Sequence, residues 1–99
     1  MTRRILVVRG PTYFSQQDED VFFGWLQSIG CVDRVVGRLR SLHILLKRPP
    51  SEAQLRELLA LFQRYRLNMR PLAVLKTNRN ARWFADPQKY WFRKVFGAA

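Results

Sequence analysis

Apolar residues run without interruption through Ile5, Leu6, Val7 and Val8 inside the segment Arg3 to Arg9. A β-branched-rich run with no polar alternation predicts a central strand covered on both faces. Gly10-Pro11 ends it. Periodicity then changes. Phe22, Trp25, Leu26 and Ile29 recur at helical spacing, behind Ser15 with Asp18 three residues on and the acidic triplet Asp18-Glu19-Asp20, with Gly30 at the expected C-cap. From Val32 to Lys47 the pattern reads as a hairpin: Val35 and Val36 in one strand, Leu42, Ile44 and Leu46 in the next, and Gly37-Arg38-Leu39-Arg40 as the turn. Pro49-Pro50 stops it, and Ser51 with Gln54 forms a capping box. Leu55, Leu58, Leu59, Phe62 and Tyr65 then make one helical stripe, with Arg56, Glu57, Gln63 and Arg64 off it. Pro71 to Lys76, with Leu72, Val74 and Leu75, reads as a final strand, and Asp86-Pro87 as the start of a last helix ending near Gly97.

The expected class is α+β: a ferredoxin-like βαββαβ antiparallel sheet with two helices on one face and an added C-terminal helix. A single domain spans residues 1–99, a length with room for only one core. Leu45 and Leu75 would point away from the two helices, and Tyr90, Trp91, Phe92, Val95 and Phe96 are the expected cover for that second face. The sequence has no internal repeat, low-complexity tract or flexible linker.

Charge changes the picture most. The chain carries 18 Lys+Arg against 7 Asp+Glu, a net charge of +11. Such a surface attracts polyanions, acidic proteins or anionic headgroups. An apolar share of 47% excludes a disordered basic tail. The apolar run behind Arg3-Arg4 is too short for a signal peptide or a membrane span, so a cytoplasmic location is expected. Arg34, Arg38, Arg40, Lys47 and Arg48 cluster on or beside the hairpin, with Arg3 and Arg9 as neighbours across the sheet. A second patch interleaves basic and aromatic residues: Arg79, Arg82, Trp83, Lys89, Arg93 and Lys94. Its aromatics are expected to seal the sheet rather than stack nucleobases, leaving the charges free to bind.

Catalysis finds little to stand on. His43 is the only histidine and Cys31 the only cysteine, so there is no metal set, disulfide or triad, and no cofactor is expected. Asp18, Glu19, Asp20, Glu52 and Asp86 all fall at expected helix starts, leaving only Asp33 and Glu57. An RNA-recognition domain shares this strand order but needs aromatics on its two central strands, and here those strands have none. An acylphosphatase-like enzyme would want a glycine-rich anion loop after the first strand and an Asn in the hairpin; Pro11-Thr12-Tyr13-Phe14 and the hairpin supply neither.

The stretch Leu55 to Tyr65 with Met69, and the stretch Asn80 through Trp83-Phe84 and Tyr90-Trp91-Phe92 to Val95-Phe96-Gly97, are similar to short bacterial proteins, some of which resemble immunity partners of polymorphic toxins. The resemblance implies a non-enzymatic inhibitor that plugs one cognate toxin in the cytoplasm. Its basicity departs from the acidic character common among immunity proteins against nucleases, and would require an acidic partner surface. The expected function is therefore a non-catalytic module recognising an acidic protein, possible toxin included, through its arginines. The alternative is nucleic acid, with the same residues on phosphates.

Overall fold

The computed structural model describes residues 4–97 of the chain. Its elements run β1 (Arg4–Arg9), α1 (Gln16–Ser28), β2 (Val32–Arg38), β3 (Ser41–Leu46), α2 (Glu52–Arg64), a 3-10 segment (Arg70–Leu75), α3 (Ala81–Phe84) and α4 (Phe92–Phe96). The expected strand start at Arg3 lies outside the described residues. The molecule is α+β, with a three-stranded antiparallel sheet of order β1-β3-β2. Strand β3 sits between β1 and β2, which are joined through α1, so the split βαβ and the hairpin form as expected.

Local chemistry fixes the two long helices. Ser15 caps α1 by accepting from the Asp18 amide, and Ser51 and Gln54 exchange hydrogen bonds in a full capping box at α2. Leu55, Leu58, Leu59, Leu61 and Phe62 of α2 and Phe22 and Leu26 of α1 are buried against Leu6, Val8, Leu42, Ile44 and Leu46 of the sheet. Tyr65 packs edge-on to Phe22 with ring centroids 4.8 Å apart.

The expected fourth strand does not form. Residues 70–75 wind into 3-10 turns, with Pro71 at their start and the Leu72 amide bonded back to Met69. In such a turn residues three apart eclipse, which lets Leu72 and Leu75 enter the core together. The long last helix is also absent. The Asp86 carboxylate accepts from the Gln88 amide and its carbonyl from Lys89, so Asp86-Pro87 makes a turn, and α4 is a single turn of helix beginning at Phe92. An unexpected short helix, α3, starts instead from a reciprocal pair: Thr77 and Asn80 each accept the other's backbone amide through their side chains.

These changes leave one face of the sheet open. The C-terminal segment packs against the 3-10 segment rather than across the sheet. Trp91 and Val95 are buried as expected, and Phe96 partly so, but in the core on the helical side. The expected cover for the second face is thus corrected, and with it the assignment of β1. That strand lies at a sheet edge, with Ile5 and Val7 55% and 47% exposed.

Candidate functional site

Strand alternation decides which side chains share the open face. Register brings them into cross-strand rows: Ile5, Leu45 and Arg34; Val7, His43 and Val36; Arg9, Ser41 and Arg38. The centre is apolar, around a half-buried His43. Arg34, Arg38 and Arg9 are exposed along two of its sides, and no acidic residue stands in these rows. A β-bulge between Val32 and Arg34, at Asp33, lets Val32 turn into the core opposite Leu46 while Arg34, two residues on, takes the open side opposite Leu45.

The hairpin cluster read from the sequence is divided by the fold. Arg38 lies on the open face and Arg40 in the turn beside it, where its carbonyl accepts from the Gly10 amide at 2.8 Å. Between them Leu39 is fully exposed with φ of 55°. Lys47 and Arg48 stand at the opposite end of β3, roughly 20 Å away at the usual rise per strand residue. Arg48 lies near Gly30, where a β-carbon would come within 3.3 Å of its guanidinium. Arg38 and Arg40 belong together at the turn, whereas Arg34, paired with Leu45, stands at the Lys47 end of the strand pair. Ile5, Val7, Val36 and Leu45 complete the site and were missed as site residues. The signal was the consecutive apolar run of β1, visible in the sequence but assigned to burial.

The basic-aromatic patch is likewise reorganised. The Arg56 guanidinium sits 4.2 Å from the Trp83 ring centroid, so one face of that indole is already taken within the chain. Trp91 meets Trp83 edge-on and donates its indole N–H to the Phe84 carbonyl at 2.7 Å. Lys94 donates to the Gln63 side chain, while Arg82, Lys89 and Arg93 are exposed. Arg79 lines a cleft of about 710 Å³ with Arg4, Val74, Leu75 and Trp83. The patch is not a row of free stacking platforms.

The remaining titratable groups have local roles. Glu57 accepts from the Trp25 indole at 3.0 Å, Glu52 pairs with Arg56 at 3.0 Å, and Asp18 accepts from the Phe14 amide. Cys31 is buried, and burial pushes its thiol up, away from the thiolate form that attacks or binds metal. Among the described residues no group of His, Cys, Asp and Glu could hold a metal ion. None of their helices is long and apolar enough to cross a membrane. Comparison with known protein families, curated proteins and solved structures finds no match for this chain.

Proposed function

We propose that this chain is a non-catalytic protein-binding module of the immunity or inhibitor type, acting in the cytoplasm, whose open sheet face recognises an acidic protein surface. We read its fold as a ferredoxin-like derivative in which the 3-10 segment takes the place of the last strand. One observation carries the function: Arg34, Arg38 and Arg9 flank an apolar patch of exposed Ile5 and Val7 and half-buried Val36 and Leu45. Interfaces combine an apolar centre with a polar rim, and arginine is the cation they favour. A second copy is a poor occupant, because both would bring a charge of +11 and the same arginines.

The test is affinity capture from host lysate with nuclease-treated and untreated arms. Arg34→Glu with Arg38→Glu should abolish capture of a protein that survives nuclease treatment, while Arg93→Glu with Lys94→Glu should leave it unchanged. The reverse result would move the site to the C-terminal patch.

The charge favours a second reading, nucleic acid. About five phosphate contacts would give a log-log salt slope near −4.5 on duplex DNA, whatever the sequence. The open face lacks the aromatic rings that sequence-reading sheets use, so discrimination above roughly 100-fold between sequences would displace the protein-binding reading.

A further inference from the structure

The cleft of about 710 Å³ beside Trp83 lies where four parts of the chain meet: the start of β1, the turn before α2, the end of the 3-10 segment and the turn that opens α3. Its size falls within the roughly 300 to 1,000 Å³ of small-molecule sites. None of the open-face residues lines it.

The walls are set before any ligand arrives. Ser51 and Gln54 exchange their capping-box bonds. Thr77 and Asn80 cap each other, and the Asn80 side-chain amide donates to the Leu75 carbonyl at 2.8 Å. Side chains already held in this way lose little freedom on binding. The apolar part comes from Pro49, Pro50, Leu55, Leu75 and Trp83. Proline rings and an indole present flat surfaces, which suit an aromatic body.

Charge supplies the other half of the specification. Glu52 is the one acid among the described residues of the wall, and Arg56 holds its carboxylate with two donors at 3.0 and 3.1 Å. Arg56 itself does not line the cleft. Arg4 and Arg79 do, and among the described residues no acid pairs with either. Two uncompensated guanidinium groups beside an apolar wall match an acidic group carried on a ring, since the arginine fork fits carboxylate and phosphate alike.

We propose that this cleft binds a small aromatic anion, a carboxylate or phosphate ester on a ring system, with Arg4 and Arg79 on the acidic group and Pro49, Pro50 and Leu55 against the ring. The site goes beyond the protein-binding reading and does not depend on it.

The probes are naphthoate, its neutral amide naphthamide, naphthyl phosphate and inorganic phosphate, each titrated into the isotope-labelled full chain and followed by NMR. Naphthoate should saturate near millimolar concentration, as expected for a ligand of this size, and move the Trp83 indole N–H with the amides of residues 51–55 and 77–80. Naphthamide should bind about tenfold more weakly, and Arg79→Gln should weaken naphthoate about tenfold, the loss expected for one charge-assisted hydrogen bond. Arg79 is exposed, so this variant should keep the parent's circular dichroism spectrum. Arg93→Gln removes the same unit of charge from an exposed position outside the cleft, and should change affinity by less than roughly twofold. Tighter binding of naphthyl phosphate or of naphthoate assigns the acidic group, and either supports the site. Equal affinity for naphthoate and naphthamide, an equal loss from Arg79→Gln and Arg93→Gln, or comparable shifts with inorganic phosphate alone overturns it. So do shifts confined to Ile5, Val7 and His43, which would place the ring on the open face, and the absence of saturable shifts at roughly ten times the expected concentration.

Discussion

At the scale of single residues, Leu39 is the clearest case of a conformation held against its own preference. A left-handed φ at a leucine costs roughly 1 to 2 kcal/mol relative to glycine, and full exposure means no burial offsets it. Leu39→Gly should therefore raise stability by about 1 kcal/mol, read from the denaturant midpoint. If Leu39 also touches the partner between Arg38 and Arg40, the same change will weaken capture. Tyr13 gives a pH signature. Burial against Phe22 and Phe23, with Glu19 nearby, pushes its hydroxyl up to about 12, whereas an unfolded tyrosine ionises near ~10. The neutral form is favoured in the fold, so this contribution is intact below about pH 10 and is lost as pH rises from about 10 through 12. Tyr65 shifts the same way, through burial first and then Asp18. Alkaline unfolding curves of Tyr13→Phe should show a shallower decline than the parent.

At the scale of elements, the aromatic C-terminal segment is structural. Trp91 is 6% exposed and its N–H holds the Phe84 carbonyl. Trp91→Ala should cost roughly 3 to 5 kcal/mol. Trp91→Phe should recover most of the packing but leave that carbonyl unsatisfied, a residual loss of about 1 to 3 kcal/mol. An unchanged denaturant midpoint for the alanine variant would remove this segment from the core. The two long helices and the hairpin were legible because caps, periodicity and turn residues agree locally. Residues 70–75 were not, since Leu72, Val74 and Leu75 suit either a strand or a 3-10 turn and only long-range packing selects between them. The open face escaped for a related reason. A consecutive apolar run reports a capacity for burial and says nothing of whether another element arrives to use it, so Ile5 and Val7 were assigned to the interior. Arg34, Arg38 and Arg40 were recognisable by charge, but that Arg34 stands at the Lys47 end of the hairpin, away from Arg38 and Arg40, needs the register of β3.

At the scale of the whole molecule, the surplus of positive charge and the open face make distinct contributions. The charge of +11 draws any anion, whereas the arginine-rimmed apolar rows give it a place to fit. Screening by salt should slow capture of an acidic partner more than it hastens release, because steering acts before contact and the desolvated centre acts after it. Surface plasmon resonance across a salt series checks this; a dissociation rate that climbs as steeply as association falls would mean that no apolar centre is engaged. The place of β3 between a near and a distant neighbour in the chain reaches further, into the order of assembly. Pairing with β2 closes a tight turn, whereas pairing with β1 must wait for α1 and β2 to be bridged, at a higher entropic cost. The hairpin should thus be formed at the folding barrier, with β1 and the C-terminal segment docking late. Relief of strain at Leu39 then appears in the refolding limb of the chevron, as a roughly fivefold acceleration for about 1 kcal/mol, while truncation of Trp91 appears in the unfolding limb. The strand that leaves Ile5 and Val7 exposed is, on this account, the last to join the sheet and the first to leave it.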